Sequence, residues 1–295
     1  MKIASVTHCT SKKSLASNLT LPDQHGDQQS LARQWVGIVD SSEKIIEAGK
    51  LYTGRGFKLV SQNSSYDDLF VISAGLGLVH ASTKIPAYNL TISPGHADSL
   101  DQFCEAKIDL KDWWSSLAKV KLSEGFLCEL TKHYDYVIVS LTAQYLEMVK
   151  ADLEECGTKI VLIASPTCTK TWKGKVQLAP YSEHFDGPDS PLPGTKSDFA
   201  QRCHSDFMDR FRKSESLEAA ISSVTSSMSE WRKPVALKNA KHSDVELISL
   251  IQKCRSDFPS ISALHKHFRH ELGIACEQKR FSKLVRNADG LPYEA

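Results

Sequence analysis

No C-x-x-C pair occurs among the eight cysteines of this 295-residue chain, at positions 9, 104, 128, 156, 168, 203, 254 and 276. That argues against zinc ribbons and clustered iron–sulfur ligands. Scattered cysteines in a chain without a targeting segment read as reduced thiols, and the cytoplasm is the expected address. An 18-residue apolar run is also missing, and residues 1–13 lack a long apolar core, so neither membrane spanning nor secretion is expected. There is no internal repeat. Charge of one sign is lacking too, with 36 Lys and Arg against 35 Asp and Glu. A formal charge of +1 leaves room for a local basic surface. What remains is ordinary for a soluble protein, 41% hydrophobic and 24% charged, and long enough for one large domain plus a small one.

Continuous apolar runs alternate with helical patterns over the first two thirds. "KIASVTHC" reads as a first strand, and residues 30–50 as a helical tract with Leu31, Trp35, Ile38, Ile45 and Ile46 inward. "LFVISAGLGL", residues 69–78, reads as a second strand ending in a glycine loop. Strands three and four fall in "YDYVIVS" and "TKIVLIAS", the third followed by a helix. The expected class is α/β, a mostly parallel four-stranded sheet flanked by helices. Ligands of such sheets bind beyond the carboxyl ends of the strands, where "HCTSKK", "SAGLGL", "SLTAQY" and "ASPTCTK" lie. Residues 180–198, rich in Pro and Gly, read as a long surface loop. A helix carrying Phe199, Phe207 and Phe211 closes the first domain.

The expected organisation is a catalytic domain at 1–213, a linker or helix at 214–240 and a basic helical domain at 241–295. Ser243 with Glu246 forms a capping-box pattern, and Gly273 is a natural helix stop. Residues 241–286 hold nine Lys and Arg against five Asp and Glu, a net of +4. Phe281, Leu284 and Val285 face inward, with Lys279, Arg280, Lys283 and Arg286 on the opposite arc. Three short helices, the last basic, match a helix-turn-helix-like module able to lie on DNA, with Lys266 and Arg269 contributing. A merely solvated basic helix is the plain alternative.

Three clusters carry candidate chemistry. Cys9, Ser11, Lys12 and Lys13 suit phosphate at a strand end, or Cys9 simply packs. "LYTGRGF" offers Tyr52 and Arg55, an arginine between glycines able to grip phosphate, or a plain surface turn. "ISAGLGLVHASTKIPAYNLTI" offers Ser73, Gly75, Gly77, His80, Tyr88 and Asn89. It does not fit G-x-G-x-x-G, but a Tyr beside an Asn suits a stacked base and a positioned water.

In that order, C-[ST]-x-K-K, L-Y-T-G-R-x-F, I-S-A-x-x-G-L and I-P-x-Y-[DN]-L-T over residues 1–165 resemble a bacterial and phage domain family. That family is distantly similar to the uracil-DNA-glycosylase-like domain attached to archaeal tRNA-guanine transglycosylases and archaeosine synthases. The basic tail also resembles the tail of such proteins. The resemblance implies a uracil-DNA-glycosylase-like fold and a DNA glycosylase that everts and excises a modified base. Glucosylated hydroxymethylcytosine in phage DNA is the implied target, in anti-phage defence.

On that reading Asn89 positions water, Tyr88 stacks on the base or shapes the pocket, and Lys12 and Lys13 hold phosphates, with Lys12 or Lys13 as a Schiff-base nucleophile the rival mechanism. Cys9, Ser11, Lys12, Tyr52, Arg55, Ser73, Gly75, Gly77, Ser140 and Tyr145 bind substrate. The partner is double-stranded DNA, with no cofactor, metal, membrane or obligate protein partner called for. The family usually carries Asp where Asn89 stands, a change that bears on rate and base choice rather than fold. Two other readings stay open, a non-catalytic DNA-binding stress protein and a base-exchange transferase.

Overall fold

The computed structural model describes residues 1–17, 19–22, 26–235 and 240–289. The chain divides into two units, Met1–Pro234 and Val235–Ala295. Parts of the expected linker and tail, residues 236–239 and 290–295, lie outside the described residues.

In the first unit, strand β1 (Ile3–His8) is buried along almost its whole length. Helix α1 (Gln28–Ser41) starts where the Asp27 carboxylate accepts the N–H groups of Gln29 and Ser30. It stops sooner than its apolar pattern suggests. The Ser41 and Ser42 hydroxyls donate back to the Gly37 and Ile38 carbonyls, and Ile46 enters a short strand. That strand, β2 (Ile46–Glu47), leads into a single helical turn, α2 (Ala48–Leu51), and then α3 (Arg55–Ser61). The continuous helix expected over 30–50 is therefore corrected to a helix, a strand and a turn.

Residues 69–78 are also two elements rather than one. β3 (Asp68–Ser73) turns at Ala74–Leu76 into β4 (Gly77–His80), its antiparallel neighbour. Gly77 has φ +76°, which a glycine adopts without strain. A two-residue β5 (Lys84–Ile85) pairs with β2. Then come α4 (Leu110–Leu117), α5 (Leu127–Leu130), β6 (Tyr136–Ser140), α6 (Ala143–Glu155), β7 (Ile160–Ile163), α7 (Pro166–Thr169) and β8 (Gln177–Leu178). Helices α8 (Phe199–Lys213) and α9 (Leu217–Glu230) complete the unit.

The sheet has six strands rather than four, in the order β4-β3-β1-β6-β7-β8, all parallel except β4. After β1 the chain extends the sheet to one side through β3, then returns to place β6 on the other side of β1. The switch point therefore lies between β1 and β6, where an open α/β sheet forms its crevice. Both faces are covered. Ala4, Val6, Val137, Val139 and Leu162 pack with Trp35, Trp113 and Met148, while Ile138, Val161 and Ile163 pack against Phe199, Phe207, Phe211 and Val224. Period-two alternation sends neighbours to opposite cores, which is why these strands read as unbroken apolar runs.

Two further expectations change in detail. The segment expected as either a linker or a helix contains α9, whose Leu217, Ala220 and Val224 are buried in the core with α8. Residues 180–198 are irregular but anchored, with Tyr181, Phe185 and Asp198 buried. Fully buried Arg202 holds that segment, bonding to Asp186 (2.5 Å), Asp198 (2.9 Å) and the carbonyls of Leu192 and Thr195.

The second unit is three helices, α10 (Asp244–Cys254), α11 (Ile261–His270) and α12 (Gln278–Ala288), with two short paired strands, β9 (Ala240–Lys241) and β10 (Ile274–Ala275). Its core is Leu247, Ile251, Leu264, Phe268, Phe281, Leu284 and Val285. Ser243 and Glu246 form the reciprocal capping box, and Gly273 follows α11 with φ +63°. Among the described residues no helix is long and apolar enough to cross a membrane.

Candidate functional site

A cleft of about 550 Å³ opens at the switch point, within the range of small-ligand sites. Its walls are residues 8–12 after β1, Gly54, Arg55, Gly56 and Phe57 at the start of α3, and Thr91, Ser93 and His96. Thr142, Gln144 and Tyr145 at the start of α6, and Thr195, Ser197, Asp198 and Gln201 leading into α8, complete it. Five separate stretches of chain thus meet above β1 and β6.

The His8 imidazole stacks on the Tyr145 ring, centroids 4.4 Å apart and planes 12° apart. Its Nδ1 lies 2.8 Å from the Cys9 carbonyl, and Nε2 lies 2.6 Å from Gln201 Nε2. A carbonyl only accepts and an amide N–H only donates, so the fitting tautomer is neutral with the proton on Nδ1. Burial lowers the His8 pKa to about 4, partly opposed by the Cys9 carbonyl. Tyr145 and Cys9 share a hydrogen bond of 3.0 Å.

Beneath this wall lies a buried hydroxyl cluster. Ser73 Oγ accepts the N–H groups of Gly75 (3.2 Å) and Leu76 (3.0 Å), so its own proton goes to the Tyr88 hydroxyl at 2.6 Å. Tyr88 in turn lies 2.9 Å from the Tyr52 hydroxyl. Burial first, then the proximity of Cys9, raises the pKa of Tyr52, Tyr88 and Tyr145. The three phenols therefore stay protonated and serve as donors. The Lys13 ammonium sits 4.7 Å over the Tyr88 ring. Burial lowers its pKa, opposed by Cys9 and Asp98. A lysine of this kind holds more free amine at neutral pH than an exposed one.

Of the residues singled out from sequence, Cys9, Ser11, Lys12, Arg55 and Tyr145 line the cleft. Arg55 is half-exposed and pairs with Asp198 at 3.4 Å. Tyr52, Tyr88 and Lys13 form the cluster just described, outside the lining. Ser73, Gly75 and Gly77 are not among the residues that line the cleft. They make the buried β3–β4 turn, and a Cβ at Gly75 would come within 2.9 Å of the Tyr88 ring. Ser140 is buried at the end of β6, bonded to the Val6 carbonyl. His80 is tied to Asp68 and Ser82 at the end of β4.

Asn89 is also outside the cleft lining. Its side-chain amide donates to the Ser17 carbonyl and its backbone N–H to the Leu19 carbonyl, so it is tied to those two residues. Sequence reasoning gave no role to His8, Gln201, Asp198 or Thr142. His8 carried a usable signal, as the last residue of a buried strand. Gln201 and Asp198 carried none, because they reach the cleft only through the fold.

In the second unit Lys266, Arg269, Lys279, Lys283 and Arg286 are exposed. Arg280 is less exposed and bonds to Asp244 (2.9 Å) and to the His242 carbonyl (3.0 Å), which ties α12 to the start of α10.

The fold and the cleft define an α/β protein with an open cleft at its topological switch point. No family model, curated protein or solved structure matches this chain.

Proposed function

We propose that the first unit is a DNA glycosylase of the uracil-DNA-glycosylase-like kind, which takes an everted, modified nucleotide into the cleft and breaks its N-glycosidic bond. The helix-turn-helix-like second unit holds duplex DNA through its basic helix. The observation that carries this reading is the convergence of the Cys9–Lys13, Tyr52–Arg55 and Tyr88 motifs at the switch point. A stacked His8–Tyr145 pair stands in the cleft wall there, and Lys13, of lowered pKa, follows the lining residues 8–12 and lies over the Tyr88 ring. Aromatic faces receive a flipped base, and cations at the rim, Lys12 and Arg55, receive its phosphates.

Neither Asn89 nor Lys13 is among the lining residues. The Asn89 amide is engaged with Ser17, whereas Lys13 follows the lining residues 8–12 and has a lowered pKa, so attack is assigned to Lys13 rather than to a water held by Asn89. The free amine of Lys13 forms a bond from Nζ to C1′ as the C1′–base bond breaks. That electron pair leaves on the base nitrogen, which takes up a proton. Nζ then loses a proton, and its lone pair expels O4′ by breaking the C1′–O4′ bond. O4′ takes up that proton as a hydroxyl, leaving a protonated Schiff base, as for other lysine nucleophiles. Tyr145 and Cys9 stand on the wall as donors able to stabilise the departing base.

The test is incubation with unmodified, hydroxymethylated and glucosylated duplex DNA, followed by abasic-site detection, mass spectrometry of released base and borohydride trapping. Release from glucosylated DNA with a trapped adduct is expected. In Lys13→Ala both should fall at least about 100-fold, while Asn89→Ala keeps the adduct. Base release without any adduct would return the attack to water, and intact DNA in every case would leave a DNA-binding protein without this activity.

A further inference from the structure

Two turns along α6 from Tyr145, about 10 Å at the helical rise, lies a second group of side chains with no part in the cleft. Cys128 of α5, with Asp152 of α6 and Cys156 at its C-cap, brings two thiol sulfurs and a carboxylate oxygen within 4.8 Å of one another. Among the described residues it is the place where three such donor atoms converge. Asp152 and Cys156 are buried and Cys128 is half-buried, so one side stays open to water.

We propose that Cys128, Asp152 and Cys156 form a binding site for a zinc-class divalent cation, completed by one water. Two sulfurs and one carboxylate oxygen are a donor set that zinc favours, and a fourth, open position is usual where three protein atoms ligate. Around zinc, with bonds of about 2.3 Å to sulfur and about 2.0 Å to oxygen, neighbouring donors stand roughly 3.5–3.8 Å apart. The group needs to contract by about 1 Å. The carboxylate is already oriented, because Asp152 Oδ2 accepts the Leu127 N–H (2.8 Å) and the Trp114 indole N–H (3.3 Å). Ligating carboxylates are commonly held by outer hydrogen bonds of this sort.

Electrostatics agree with the geometry. Burial comes first in raising all three pKa values, and Asp152 adds to the shift at both thiols. Three acids forced together resist ionisation until a cation joins them, which reverses the balance. On binding, two S–H protons go to solvent as two metal–sulfur bonds form, and with the carboxylate the filled site carries a net charge of −1. Affinity therefore falls as pH falls. The metal would fasten α5 to the far end of the helix whose first turn walls the cleft.

Elemental analysis of the full chain, purified from zinc-supplemented medium and desalted, should find about one zinc per chain. Cobalt(II) should give thiolate-to-cobalt absorption. Both should vanish in Cys128→Ser/Cys156→Ser and persist in Cys104→Ser. Alkylation of the wild type, read by mass spectrometry, stays informative if the double variant does not fold. Zinc should shield Cys128 and Cys156 at least tenfold and leave Cys104 unchanged. Equal labelling with and without zinc, metal that survives the double variant, or a Cys128–Cys156 disulfide in the purified chain would each overturn the site.

Discussion

Gly75 shows how little space one residue has beneath the cleft. A methyl there would meet the Tyr88 ring at 2.9 Å and the Trp35 ring at 3.0 Å, both rings being fully buried. Gly75→Ala is expected to lower stability by about 1–3 kcal/mol through overpacking, read as a shifted urea midpoint with an unchanged slope. Buried histidines set a second expectation. His8 and His204 have pKa values lowered to about 4 and about 3, by burial above all. His204 Nε2 meets Ser5 Oγ at 2.9 Å, while its Nδ1 has no partner. Below the ordinary histidine value of 6.5 the unfolded chain takes up protons that the folded chain refuses. Their contribution is therefore complete above about pH 6.5 and drains away as pH falls toward 4 and 3. Urea melts between pH 7 and pH 4 should show the decline, and His204→Gln should flatten its lower part.

Among the elements, α8 does two jobs at once. One face presents Phe199, Phe207 and Phe211 to the sheet, and the same helix carries Gln201 to the cleft and Arg202 to the 186–198 segment. Arg202→Met would leave Asp186 without its arginine and the buried Asp198 with only the half-exposed Arg55 as a cationic partner. A loss of about 3–5 kcal/mol is expected, as for other broken buried pairs, with faster amide exchange over 186–198. Conserved exchange there would argue that other contacts hold the segment. This is also where reading the sequence reached its limit. β1, β6 and β7 were legible because both their faces are covered, and α10 because its capping box is local. The glycine loop after β3 was legible, but β4 was hidden because four residues directly after it carry too short a period, and β8 because two residues carry none. In the site, strand-end residues such as Cys9 and Lys12 could be singled out from topology. Gln201 and Asp198 could not, since they lie about 190 residues from β1 and arrive only when α8 packs.

For the molecule as a whole, charge is divided between the units. Residues 241–286 carry a net +4 and the rest of the chain −3. If the second unit grips DNA, replacing Lys279, Lys283 and Arg286 by Ala should reduce the slope of log affinity against log salt. The reduction should be about 0.9 for each phosphate that is no longer neutralised. Arg280→Ala should instead lower the melting temperature of that unit, because its guanidinium is spent on Asp244. An unchanged slope in the triple variant would place the DNA surface elsewhere.

The buried indoles of the first unit have a practical consequence. Trp113 and Trp35 donate their N–H groups to successive carbonyls of one turn, Ala74 (2.9 Å) and Gly75 (2.6 Å), and neither ring meets solvent. The floor under the cleft is thereby wired to two native fluorophores. A ligand that settles there and shifts the turn should register as a change in tryptophan emission, giving a label-free titration before any substrate is known.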